Sequence, residues 1–414
     1  MEQINETYQK GRIEVPAIVM LFLLTVFGWL SIPFGFLISP IVFFICAKRI
    51  RKDRDISFQF IDWLLLLVCV AEIFLLFCST YKPNSIETIG NILYAIAFWF
   101  FVRICVRHKE TIILYLQVLS FIILFLSAIT LFSYYKHRSA FINNGFEDLT
   151  LVRQYYHPLG FISNDWVAIL LCLLPIPLYC FLISRKRKTE IIHLISFISV
   201  NLAILFSFSR GAYLSLFVFY AISFLFFLIN HSSYKKGFIF VAICTFAFSC
   251  VVLYPDKKAV ITTMSLTSTT SQQRSIDGRY KKWDEAINLF KERPLCGFGA
   301  GNYGNASIFY GAKDSESLSN RSTNSYLQLI VEKGIIGTIF YCLVIVFVTI
   351  VGIKTILKRR ALIPFFASIM ALLMREFFFS SFFEERRIPL LFIVLIISLF
   401  HLSNHYENCK RFFL

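Results

Sequence analysis

The chain has 414 residues, of which 57% are hydrophobic and 16% charged, with 48 phenylalanines. A soluble domain carries about 25% charged residues, so the composition excludes one. The net charge of +16 would point to nucleic acid in a soluble protein, but here its distribution excludes that partner. Lys and Arg crowd short segments at 48–54, 103–109, 185–188, 235–236, 354–360 and 410–411. This is the positive-inside pattern, which orients membrane helices and attracts anionic lipid headgroups.

Runs such as 16–30, 112–132 and 337–353 contain no charged residue. In lipid the backbone must satisfy its own polar groups, so these runs are transmembrane helices. Measured against the roughly 20 residues needed to span a bilayer, the chain reads as about twelve such helices. The N-terminus is polar to Glu14 and shows no small-residue cleavage site, which predicts a membrane helix rather than a cleaved signal. The runs at 15–30 and 32–47 make a tight hairpin through Ser31-Ile32-Pro33. The third, fourth and fifth cover 60–80, 86–104 and 111–134. A polar loop at 135–160 then brings Lys136, His137, Arg138, Arg153 and His157.

The sixth run begins near Ile162 and contains Pro175 and Pro177, which predict a kink. The seventh (191–208) and eighth (212–230) are separated only by Ser209-Arg210-Gly211, and the ninth covers 237–254. A polar island at 254–323 follows, the longest interruption of hydrophobic periodicity in the chain. The tenth run starts at Asn324, and 361–383 and 388–402 close the series. Alternation puts every basic cluster and both termini on one face. The island, the 135–160 loop and the Arg210 turn share the other face, which in a bacterial cell lies outside the cytoplasm.

The expected fold class is therefore an all-α polytopic membrane protein with one large periplasmic loop between helices nine and ten. It divides into N-terminal helices (1–206), a core (207–354) holding the loop at 255–323, and two C-terminal helices (355–414). The 11 cysteines lie almost entirely in apolar runs, with no zinc spacing and no paired framework, so they read as small buried residues.

Candidate chemistry collects on the outer face. Arg210 is a guanidinium at membrane depth, costly unless it is paired or faces water, and its planar fork suits a phosphate. A snorkelling interfacial arginine is the plainer alternative. Gly278-Arg279-Tyr280-Lys281-Lys282-Trp283 opens a helix, so Arg279, Lys281 and Lys282 oppose its dipole and a bound anion would relieve the conflict. Tyr280, Trp283, Ile287 and Phe290 recur at helical spacing as a packing stripe, and Pro294 ends that helix.

Gly297, Gly299 and Gly301 form a G-x-G-x-G turn that follows a helix and lacks a terminal Gly-Lys-Ser/Thr. It is thus neither a P-loop nor a dinucleotide fingerprint, but a tight turn allowing close backbone approach. Asn324 can cap the tenth helix, with Gln328 and Glu332 along the same face. Arg375-Glu376 and Glu384-Glu385-Arg386-Arg387 read as mutual ion pairs, with the carboxylates also candidate bases.

Four groups of residues together resemble the bacterial O-antigen ligase and polymerase family. They are Ser209-Arg210-Gly211-Ala212-Tyr213, the island from Gly278-Arg279 through Pro294-Leu295-Cys296-Gly297-Phe298-Gly299 to Gly301-Asn302, Thr323-Asn324-Ser325-Tyr326-Leu327 with Gly334-Ile335-Ile336-Gly337, and Asn164-Asp165-Trp166. The resemblance implies an inner-membrane glycosyltransferase of GT-C type that takes glycan from undecaprenyl diphosphate on the periplasmic side. A ligase passes it to a lipid A core acceptor; a polymerase passes it to another lipid-linked repeat. Membrane lipids and a chain-length regulator protein are the further partners implied, and no metal, nucleotide or other cofactor is expected.

Carried onto this chain, the family's paired arginines fall on Arg210 and Arg279 and would hold the diphosphate leaving group. Lys282, Gly299, Gly301, Thr323, Asn324 and Gln328 are the expected substrate-binding set. Ligases carry a His directly before the Asn of the last motif, where this chain has Thr323. Thr is no base near neutral pH, so His137, His157, Glu332 and Glu384 are the alternatives, with Glu332 and Glu384 joining Arg210 and Arg279 as catalytic candidates. The departure favours polymerase over ligase. A transporter or flippase of lipid-linked oligosaccharide is the remaining alternative, and it would need symmetric halves with broken helices that the sequence does not display.

Overall fold

A computed structural model describes residues 14–30, 34–52, 58–106, 108–143, 163–229, 234–264, 270–310, 322–384 and 387–402. Among the described residues every regular element is helical. The N-terminal part consists of α1 (Val15–Leu30), α2 (Phe34–Lys52), α3 (Phe60–Cys78), α4 (Lys82–Cys105) and α5 (Lys109–Asn143). Then come α6 (Ser163–Leu173), α7 (Pro175–Ile183), α8 (Arg187–Leu205), α9 (Arg210–Ile229) and α10 (Lys235–Leu253). The island holds α11 (Lys257–Met264), α12 (Thr270–Glu292) and α13 (Tyr303–Tyr310). The chain closes with α14 (Ser325–Lys358), α15 (Ile363–Arg375), α16 (Ser381–Glu384) and α17 (Arg387–His401).

The chain is a multi-pass membrane protein. Among the described residues 8 helices are long and apolar enough to cross a membrane, against the about twelve expected from run length. The remaining anticipated runs are also helical, but α1, α15 and α17 are short and α2 ends in a basic turn. The expected kink is present: α6 and α7 are separate helices, with Pro175 opening the second, where its missing N–H costs nothing. Of the eight candidate spans among the described residues this pair is the most deeply buried, packed against α5, α8, α15 and α17.

Among the described residues, two buried acids inside the bundle are paired with cations, as the low dielectric requires. Asp62 on α3 accepts from the Trp99 indole at 2.8 Å and lies 3.4 Å from Arg103 on α4. Glu72 on α3, which the sequence reading did not single out, is buried against Lys333 of α14 and accepts the Tyr341 hydroxyl at 2.5 Å.

Helix α14 is broken where it meets the island. Gly334 has φ +59 and ψ −165 in the middle of the helix, which frees carbonyls and amides on either side. The glycine turn uses them. Phe298 and Gly299 donate to the Val331 and Glu332 carbonyls at 3.0 and 2.7 Å, and Ile335 and Ile336 donate to Pro294 and Leu295 at 2.8 and 3.2 Å. The other side of the turn meets the corner between α3 and α4. There Thr80 donates to the Phe298 carbonyl at 3.0 Å, and the Ser85 hydroxyl donates to the Ala300 carbonyl at 2.8 Å.

Gly299 and Gly301 have φ +97 and +70, and a Cβ on them would overlap the Ser79, Ser85 and Thr88 hydroxyls. The close backbone approach expected of this turn is made to protein on both sides. Gly299→Ala is accordingly expected to lower stability by on the order of 2 kcal/mol or more, read as a fall in melting temperature in detergent. Gly278→Ala is the contrast: nothing lies within 4 Å of a Cβ there. In a helix interior that change should raise stability by about 1 kcal/mol.

Candidate active site

The first component is the start of α9. After Leu205 the chain turns through Phe206, Ser207, Phe208 and Ser209, with Phe208 at φ +44. That left-handed backbone is unusual for a bulky residue. It is held by burial of the ring against Tyr134 and Phe206, at 5.8 and 6.0 Å between centroids, and by the Tyr213 hydroxyl donating to the Leu205 carbonyl at 3.0 Å. Arg210 is then the first residue of α9 and Gly211 the second. The Arg210 side chain is half-buried, and among the described residues nothing pairs with it.

The second component is a break that the sequence reading did not anticipate. The run at 361–383 was expected to be one helix, but α15 stops at Arg375 and α16 begins at Ser381. Glu376 stands at the break. Its carboxylate accepts from the backbone of Ser381 and Phe382 at 2.9 Å each, so it caps α16, and it also takes the Ser325 hydroxyl and the Arg375 guanidinium. Arg375 is buried, bonded further to the Ser381 hydroxyl and the Asn164 carbonyl. The mutual pairing expected for Arg375 and Glu376 is therefore present, at 2.9 Å. Both groups are occupied in holding the turn that presents Phe379.

Phe379 is the meeting point. Its carbonyl accepts the Ser325 amide at 3.1 Å and the Ser325 hydroxyl at 3.2 Å, which ties it to the start of α14. Its ring packs on Gly211, where a Cβ would overlap it. The Arg279 guanidinium lies over the same ring 5.1 Å from its centroid, and that of Arg375 at 4.6 Å. One phenylalanine thus joins the α9 turn carrying Arg210, the island helix carrying Arg279, and the start of α14.

Arg279 reaches this point from the middle of α12. The helix begins at Thr270, so Arg279, Lys281 and Lys282 do not lie on its first turn and the expected conflict with the dipole does not arise. The packing stripe is also displaced. Ala286 and Leu289 are buried with Phe290 against Phe298, Tyr303, Leu327 and Val331, whereas Tyr280 and Ile287 are exposed. Ile287 and Phe290 instead border an apolar groove of about 420 Å³ between α12 and α14, with Leu327, Ile339 and Leu343 opposite. Burial pushes the Lys282 ammonium below the usual lysine range, with Glu285 raising it and Arg279 lowering it. The Trp283 indole N–H, one turn from Arg279, is buried and meets no acceptor among the described residues.

The other anticipated residues stand around the base of this cluster. Asn324 caps α14 as expected, its Oδ1 accepting the Tyr326 and Leu327 amides at 2.9 and 3.1 Å. Thr323 has φ +61, a strained conformation for a β-branched residue. Its hydroxyl is buried and has no hydrogen-bond partner among the described residues. Glu332 is fully buried. Its carboxylate accepts the Gly301 and Tyr303 amides at 2.8 and 3.3 Å and the Gln328 amide nitrogen at 2.9 Å. Gln328 and Glu332 therefore hold the glycine turn and the first turn of α13.

His137 lies on α5, one residue from Arg138, which binds Asp256 at 2.7 Å. His157 and the side chain of Glu384 fall outside the described residues, as do Glu385 and Arg386. What sequence reasoning missed is Phe379, for which a chain with 48 phenylalanines gives no signal, and the Glu72–Lys333 pair, for which an acid inside an apolar run was one. Among the described residues no group of His, Cys, Asp and Glu is arranged to hold a metal ion.

In comparison with known proteins, residues 192–342 match the family described as O-antigen ligase. The matched stretch includes Arg210, Arg279, the glycine turn and the start of α14. Among curated proteins no match is found.

Proposed function

We propose, for a chain whose membership of the O-antigen ligase family rests on residues 192–342, that it is a metal-independent glycosyltransferase of GT-C type acting on the periplasmic face of the bacterial inner membrane. It transfers glycan from undecaprenyl diphosphate, with growth of a lipid-linked chain (polymerase activity) favoured over ligation to lipid A core. The observation that carries this reading is the convergence on Phe379 of Arg279 and the turn bearing Arg210.

A guanidinium and the turn that bears a second one, both packed on Phe379, suit a diphosphate. As the acceptor hydroxyl attacks the anomeric carbon, the C–O bond to phosphate breaks, the electron pair goes to the leaving oxygen and the hydroxyl proton is released to solvent. Fixed cations stabilise that charge more than they stabilise the ground state. The apolar groove along α12 begins at Ala286, about 10 Å along the helix axis from Arg279, within reach of the polyprenyl chain of the same donor. In this reading Glu332, engaged with the Gly301 and Tyr303 amides, holds the floor of the site rather than taking the acceptor proton. Thr323, where ligases carry a base, favours polymerase.

A strain lacking the protein tests the assignment through the sizes of its lipopolysaccharide and surface glycans on a gel. Polymerase activity predicts single repeats still attached to lipid A core and loss of the ladder of longer chains. Accumulation of full-length chains on undecaprenyl diphosphate would assign ligase activity instead. An unchanged pattern of both would contradict the proposal.

A further inference from the structure

We infer that Phe379 is a positioning residue that sets the spacing and orientation of Arg279 relative to Arg210. The inference rests on the reading of those two arginines as the diphosphate site. Arg279 projects from the island helix α12, and a long side chain has many rotamers to choose among. The ring face of Phe379, 5.1 Å from the guanidinium, restricts them, because a cation is drawn to the negative face of an aromatic ring.

The ring itself is fixed from three sides. Its backbone is bonded to Ser325, the break that presents it is capped by Glu376, and its edge rests on Gly211, immediately after Arg210. Arg375 shares the ring, but Glu376 at 2.9 Å neutralises its charge, so a second bare cation does not repel Arg279. Gly211 has no left-handed backbone among the positive-φ glycines; its role is space, since a Cβ would push the ring away.

The test uses the full-length protein in membranes and measures donor KM and kcat for Phe379→Leu, Phe379→Tyr and Gly211→Ala. Leu removes the ring face while the backbone bonds to Ser325 remain available; Tyr keeps the face. Phe379→Leu is expected to lower kcat on the order of tenfold with a smaller change in donor KM. Phe379→Tyr should restore both, and Gly211→Ala should behave like Phe379→Leu. In an Arg279→Ala background, Phe379→Leu should add no further loss, because the ring acts through Arg279.

Wild-type kcat for Phe379→Leu, equal loss in Leu and Tyr, or a further tenfold loss without Arg279 would each overturn the inference. Full transfer by Arg210→Ala and Arg279→Ala would instead defeat the reading on which it rests. Inactivity of those two variants beside a normal Phe379→Leu defeats only the role of the ring.

Discussion

Arg279→Ala and Arg210→Ala are each expected to slow glycan transfer by about 10²- to 10³-fold, the size of effect seen when one preorganised group is removed from a developing charge. The double variant should lose little more than either single one, because two cations that grip one diphosphate act as a unit. Lysine should not substitute. It keeps the charge but not the planar fork, and at position 279 it would stack poorly on the Phe379 ring that lies 5.1 Å from the guanidinium. The check is the rate of chain extension in membranes holding equal amounts of each protein. Losses that multiply in the double variant would mean that the two arginines serve separate steps.

The second large effect concerns stability. Lys333 and Glu72 are buried at 0% and 1% side-chain exposure and paired across α14 and α3, with the Tyr341 hydroxyl as a further donor to Glu72. The pair sits next to Gly334, where α14 breaks to accept the glycine turn. Lys333→Met or Glu72→Leu alone leaves one charge inside the bundle without its partner, and each should cost about 3–5 kcal/mol. The double variant Lys333→Met/Glu72→Leu removes both charges and should recover most of that loss. Thermal unfolding in detergent reads the difference directly. A single variant as stable as the parent would show that the charges are solvated or paired elsewhere.

These two effects differ in how far the sequence revealed them. Arg210 stood out because a guanidinium between two apolar runs needs an explanation at any depth of membrane. Asn324 stood out because an Asn before a long apolar run is a helix cap, and it does cap α14. The helices themselves were legible, since a backbone in lipid has few other solutions. Their ends were less so. The first turns of α12, Thr270 to Gly278, carry no apolar period, so Arg279 was placed at a helix start that lies further upstream.

The breaks at Gly334 and Glu376 were hidden for a different reason. Each is made by partners distant in sequence: the glycine turn supplies bonds to the first, while Ser325 and Arg375 hold the second. The glycine turn illustrates the same limit. That it is a tight turn followed from its three glycines, but its partners on α3, α4 and α14 did not. Phe379 is the extreme case. Nothing local distinguishes it from Phe377 or Phe378, and only the assembled structure sets its ring against Gly211, Arg279 and Arg375.

The most direct measurement supplies the purified protein, in lipid vesicles, with a synthetic glycan on undecaprenyl diphosphate. Glycan length and released undecaprenyl diphosphate are followed together in a chelating buffer, with Arg279→Ala as control. The account predicts longer lipid-linked glycan and one undecaprenyl diphosphate released per bond formed, with both products lost in the control. Donor recovered intact from the parent protein, or equal turnover by Arg279→Ala, would contradict it.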